Sequence, residues 1–200
     1  MNTAFVIGNG MSRADFDLLH LKPFGTVFGC NALYRQYHPD YELPDYLVAI
    51  DDGIMQEIKS SDFPTKRVIF PPIDERWEPA SCNGRRPRSN AGMNAMREAI
   101  KLDFDQLICL GYDFLIEDPA ASVSNLFHGT DNYGPETRAS ANDNPGRVRY
   151  LQWLVDQHPE VDFIFIFPDD AVVTPLTGSN VFTNSYNNLK QFTTQLVDVQ

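Results

Sequence analysis

Six short apolar runs recur along this chain, at residues 4–7, 26–28, 46–50, 67–70, 106–110 and 162–167, each separated by room for a helix or a loop. Most are continuously apolar rather than alternating, which is the pattern of parallel strands covered on both faces. Three of the intervening segments carry helix start signals. Ser12-Arg13-Ala14-Asp15 has capping-box spacing ahead of Phe16 and Leu19. Ser89-Asn90 precedes Met93, Met96 and Ile100, spaced at steps of three and four. Asn144-Pro145 reads as an N-cap followed by proline at the first helical position, before Val148, Leu151 and Val155. Further helices are expected over residues 53–60 and 186–196.

Alternating strands and helices predict an α/β fold. The expected form is a three-layer, Rossmann-like open sheet, mostly parallel, with helices on both faces and right-handed crossovers. A chain of 200 residues holds one full core, so residues 1–200 are expected to form a single domain. Two stretches break the rhythm. Residues 71–88 contain four prolines and no periodicity, and residues 115–143 are polar and aperiodic. A long loop of the second kind inside a domain is expected to act as a lid or active-site loop.

Charge limits the partners. Sixteen basic against 27 acidic residues leave a formal net charge of -11, which opposes broad attraction to nucleic acid or to an anionic membrane. The one basic concentration is Arg85, Arg86 and Arg88, immediately before the expected helix at Asn90. Arginine forks suit phosphate and carboxylate, although a solvated loop balancing an acidic surface explains them equally well. Cys30, Cys82 and Cys109 form no C-x-x-C pair. Neither a signal-peptide pattern nor a membrane-length apolar run is present, so a cytoplasmic protein without a membrane span is expected. Homo-oligomerisation is left open.

In open α/β sheets, ligands bind beyond the carboxyl ends of the strands, where strand order reverses. Those ends read Gly8-Asn9-Gly10, Gly29-Cys30-Asn31, Asp51-Asp52, Gly111-Tyr112-Asp113 and Pro168-Asp169-Asp170. Turn formation alone accounts for any one of them. Together they make a rim rich in groups that donate and accept hydrogen bonds. The first turn falls short of the dinucleotide fingerprint G-x-G-x-x-G, because Arg13 stands at the third glycine position and Asn31 where an acidic residue would meet the ribose. No G-K-[ST] phosphate loop occurs either. A helix start near Ser12 would still offer free N–H groups to an anion.

The blocks "VIGNGMS", "VFGCNALY" and "SNAGMNAMREAIKLDFDQLICLGYDF" resemble the bacterial sialyltransferases that decorate lipooligosaccharide, and the general layout is also similar to the pterin diphosphokinase-like group. The resemblance implies a nucleotide-sugar donor, CMP-linked, held by Asn9, Gly10, Ser12 and Asn31. It also implies contacts from the helix start at Ser89 and Asn90 and from the block Gly111, Asp113 and Phe114. Gly8 and Asp51 join these as substrate-binding candidates on the rim argument, and Arg88 joins from the basic concentration before the helix start. The family's general-base histidine has no counterpart in "RASANDNPGRVRY", and its two lid tyrosines are reduced to Tyr133. His128, in "NLFHGTDNY", is the nearest substitute, because a histidine titrates near neutrality and can take an acceptor proton. A solvent-exposed loop histidine is the plainer alternative.

The implied reaction is displacement at an anomeric carbon onto an unidentified acceptor hydroxyl, with no metal cofactor required. One alternative is a Mg²⁺-dependent nucleotide diphosphokinase-like enzyme drawing on Asp51-Asp52 or Asp169-Asp170. Another is a nucleotide-binding relative without catalysis.

Overall fold

Seven strands form one sheet in the order β4-β3-β2-β1-β5-β6-β7, and every strand pair is parallel. They are β1 (Thr3–Ile7), β2 (Thr26–Cys30), β3 (Tyr46–Val48), β4 (Val68–Ile69), β5 (Gln106–Leu110), β6 (Asp162–Phe167) and β7 (Val181–Ser185). The computed structural model describes residues 1–76, 89–134 and 140–197. The helices are α1 (Asp52–Lys59), α2 (Ile73–Arg76), α3 (Ala91–Lys101), α4 (Asn144–Gln157) and α5 (Tyr186–Val197). This is the α/β, Rossmann-like open sheet expected from the apolar runs.

Strands β1 to β6 each feed two cores. Ala4, Val6, Phe28, Cys30, Leu107, Cys109, Phe163 and Phe165 pack under α3 and α4. Their neighbours Phe5, Ile7, Val27, Leu47, Leu110 and Ile166 pack on the opposite face, with α1 and α5. Successive side chains point to opposite sides of a strand, so a continuously apolar run is what burial on both faces requires. Fully buried phenylalanines such as Phe5, Phe28, Phe163 and Phe165 each remove a large apolar surface from water, worth roughly 1.5–3 kcal/mol apiece.

Several local expectations change. The capping-box helix at Ser12 is replaced by two 3-10 turns, Met11–Arg13 and Leu18–Leu21, the second capped by Asp17 accepting from the Leu19 amide at 2.9 Å. Ser12 does not cap, because its amide and hydroxyl both donate to Asp113, 101 residues away. Asn144 lies inside the first turn of α4 and accepts from Arg147 at 2.6 Å instead of capping. Asn90 caps α3 as expected, accepting from the Met93 amide at 2.9 Å. The seventh strand was not foreseen. β7 is a sheet edge whose central residues Phe182, Thr183 and Asn184 are exposed, so it carries no apolar run.

The order reverses between β1 and β5, since β2 to β4 extend to one side of β1 and β5 to β7 to the other. That is the topological switch point of the sheet. Among the described residues, no helix is long and apolar enough to cross a membrane.

Candidate functional site

The β1 and β5 ends are sewn together at the switch point. The Gly8 amide donates to the Leu110 carbonyl at 2.7 Å, and the Gly10 amide to the Gly111 carbonyl at 3.1 Å. A Cβ on Gly8 would lie 2.4 Å from the Gly111 carbonyl oxygen, and one on Gly10 would lie 2.3 Å from the Asp113 carboxyl carbon. The glycines of the first turn are therefore needed for the close approach of the chain's own segments.

Above this seam lies a cavity of about 840 Å³, lined by the β1 turn, Asn31, Asp51, the start of α3 and the segment after β5. Its volume falls within the few hundred to a thousand Å³ usual for small-molecule sites. Asn9 donates from Nδ2 to the Cys30 carbonyl at 3.2 Å, and its buried Oδ1 meets no donor among the described residues. Asn31, at the end of β2, has a left-handed backbone with φ 46°, a conformation asparagine tolerates better than most residues. Its Oδ1 accepts from the Ile50 amide at 3.2 Å, and its Nδ2 donates to Asp51. Burial pushes the Asp51 carboxyl above the ordinary aspartate value, opposed by that Asn31 donor.

Ser12 and Asp113 are committed to each other. Both Asp113 oxygens accept from Ser12, and Oδ2 also takes the Ser124 hydroxyl at 3.3 Å. Burial raises the Asp113 carboxyl, with the Ser12 hydrogen bonds opposing. The Ser12 amide, expected to face an anion, is thus taken by Asp113, and only a three-residue 3-10 turn begins there. The helix start that does line the cavity belongs to α3, at Asn90, Ala91 and Gly92. Ser89 is buried beside it and accepts from Asn94 Nδ2 at 3.0 Å.

The described parts of the expected lid, residues 115–134 and 140–143, both reach the cavity lining. The Leu126 amide donates to the Asn9 carbonyl at 2.9 Å. His128 is exposed at the cavity lining. Tyr133 is half-buried, with its hydroxyl against the Asn31 side chain and the Ala32 backbone, and burial pushes its pKa well up. Phe114 lines the same cavity. Asn9, Gly10, Asn31, Asp51, Ser89, Asn90, Gly111, Asp113, His128 and Tyr133 are thus brought to one place, whereas Ser12 faces away into its own bonds. Arg88, with Arg85 and Arg86, lies outside the described residues.

Sequence reasoning missed three groups. Arg147, 8% exposed in the first turn of α4, lines the cavity together with Asp143. The asparagine three residues before it, now its hydrogen-bond partner, was the available signal. Tyr186, the first residue of α5, accepts from the Gly111 amide at 3.1 Å and meets the Ser12 hydroxyl at 3.2 Å. Arg13 is buried beneath the β1 turn, and desolvation lowers its pKa to about 10.

Asp51-Asp52 and Asp169-Asp170, the carboxylate pairs considered for Mg²⁺, stand at the ends of β3 and β6. Four strand spacings separate those ends, roughly 19 Å. Among the described residues, no three His, Cys, Asp or Glu gather to hold a metal ion.

Fold and cavity together define a Rossmann-like α/β protein with a small-molecule cavity at its switch point. Compared with known proteins, the chain matches no family profile, no curated protein and no solved structure.

Proposed function

We propose that the cavity binds a nucleotide-sugar, with a CMP-linked donor favoured, and that the protein transfers the sugar to an acceptor hydroxyl. The observation that carries the nucleotide half is the convergence of the β1 turn, the Asn31–Asp51 pair, the α3 start and Arg147 on one 840 Å³ cavity at the switch point. Asparagine side chains and carboxylates suit base edges and sugar hydroxyls. A buried arginine and a helix N-terminus suit the phosphate. The transfer half rests on the resemblance of the sequence blocks to the sialyltransferases.

The reaction is a displacement. A base, for which His128 at the cavity lining is the candidate, takes the acceptor hydroxyl proton. The acceptor oxygen bonds to the anomeric carbon as the bond from that carbon to the phosphate oxygen breaks. Charge then grows on the departing nucleotide phosphate, where Tyr133 and Arg147 act as hydrogen-bond donors.

Thermal shift against CMP, CDP, UDP and ATP, with and without Mg²⁺, tests this reading, because a ligand that binds the native state raises Tm by mass action. Stabilisation by CMP without metal supports it. An ATP effect that requires Mg²⁺ replaces it with the diphosphokinase-like reading. His128 stands exposed rather than enclosed, which favours a second reading of nucleotide binding without catalysis. Donor turnover unchanged in His128→Ala would remove His128 as the base.

A further inference from the structure

We propose that the Asp51 carboxylate receives the ribose hydroxyls of the bound nucleotide, so that the ligand is a ribonucleotide and not its deoxy counterpart. This rests on the nucleotide reading of the cavity.

Asp51 occupies the N-cap position of α1, where an aspartate ordinarily accepts from a backbone amide of the first turn. Here the side chain makes no such bond. It is drawn instead to Asn31 at the end of the neighbouring strand, and Oδ2 accepts the Asn31 amide group. Asn31 is itself fixed, since its Oδ1 accepts from the Ile50 amide and its left-handed backbone aims the side chain along the rim. The carboxylate is thereby held at the cavity lining. Its other oxygen, Oδ1, receives no hydrogen bond among the described residues.

An ionised carboxylate accepts only, so it pairs with hydroxyls or amines and repels phosphate. The phosphate-compatible groups, Arg147 and the α3 start, belong to other elements of the lining. Arg147 stands on α4, which packs on the Asp113–Leu115 turn after β5, so a phosphate held there leaves the sugar to run along the rim towards β3. Three strand spacings separate the β5 and β3 ends, roughly 14 Å, and Asp51 leans back across part of that towards β2. Rossmann-like switch points likewise set an acid against the ribose. In this chain the acid missing after β2 is supplied from β3, through Asn31.

The test measures Kd by calorimetry for CMP, 2′-deoxy-CMP and 2′,3′-dideoxy-CMP, using the full chain and its Asp51→Ala and Asp51→Asn variants. The native protein is expected to prefer CMP to the dideoxy nucleotide by about tenfold or more, the size of a charge-assisted hydrogen bond. Asp51→Ala should bring that ratio close to one, with Asp51→Asn in between. Equal binding of CMP and dideoxy-CMP by the native protein overturns this inference and leaves the nucleotide reading standing. An equal fall of both affinities in Asp51→Ala, with the ratio preserved, also overturns it, because Asp51 would then only shape the cavity. Failure of the native protein to bind any of the three overturns both.

Discussion

Arg13 Nε donates to the Gly8 carbonyl at 2.5 Å, so the side chain standing where a dinucleotide fingerprint has its third glycine holds that same turn from beneath. Nη1 reaches Gln36 at 3.1 Å, and the residue is 2% exposed. A pKa lowered to about 10 by desolvation still leaves the guanidinium charged at neutral pH. It therefore fixes a positive charge directly beneath the β1 turn. Arg13→Met should cost about 2–3 kcal/mol of stability, because the buried Gly8 carbonyl loses its charged donor. Denaturant unfolding measures this.

Tyr186 ties α5 to the same seam. Its hydroxyl oxygen accepts from the Gly111 amide and meets Ser12. Tyr186→Phe keeps the ring packing against Phe16, whose centroid lies 5.9 Å away, and removes only the polar atom. The expected loss is about 1–2 kcal/mol. Faster hydrogen exchange at the Gly111 amide should accompany it.

The segment carrying His128 and Tyr133 is latched by Arg35. The guanidinium forms a two-pronged pair with Glu57 at 2.7 and 2.8 Å, donates to Thr130 and to the Asp131 carbonyl, and lies within 6 Å of the Tyr34, Phe127 and Tyr133 ring centres. Asn132 adds a bond to Glu57 at 2.7 Å. Arg35→Ala should speed exchange at the Gly129, Thr130 and Tyr133 amides, which bond within this turn. If the latch works by placing Tyr133, nucleotide affinity in Arg35→Ala and Tyr133→Phe should fall non-additively in a double-mutant cycle.

Glu57 makes the latch sensitive to acid. Burial alone would raise its pKa, but hydrogen bonds from Tyr34, Arg35 and Asn132 overcome this and hold it below the ordinary glutamate value of 4.5. A carboxylate depressed in the folded state stabilises fully above its unfolded pKa, and that contribution is lost as pH falls through the lower folded value. Stability should therefore decline below about pH 4.5, and Glu57→Gln should flatten that decline. Thermal unfolding followed from pH 3 to 7 reads both curves.

Asn9 and Asn31 separate direct from indirect binding roles. Asn9 presents a buried acceptor with no protein donor among the described residues, so Asn9→Ala should weaken nucleotide binding by about tenfold, with about 1 kcal/mol of stability lost with the Nδ2 bond to the Cys30 carbonyl. Asn31→Ala frees both Asp51 and Tyr133 and leaves the Ile50 amide without its acceptor. It should lower affinity and Tm together, as calorimetry and thermal unfolding would register.

The sheet was legible because a strand buried on both faces must be apolar throughout, and a continuous apolar run shows in the sequence without reference to any partner. Six strands, the Asn90 cap and the gathering of Asn, Asp and Gly at the strand ends were all visible this way. β7 was not, since an exposed edge strand is held by backbone pairing with β6 and its side chains carry little of that information. The direction of each polar side chain was also hidden. Ser12 has the spacing of a helix cap, yet it bonds to Asp113 across 101 residues. Asp51 sits at a helix cap and bonds to Asn31, while Arg13 replaces a glycine and grips the turn. Local propensity offers such groups one partner and the folded chain offers several, and the tertiary partner prevails when one of the two groups is charged and one is buried.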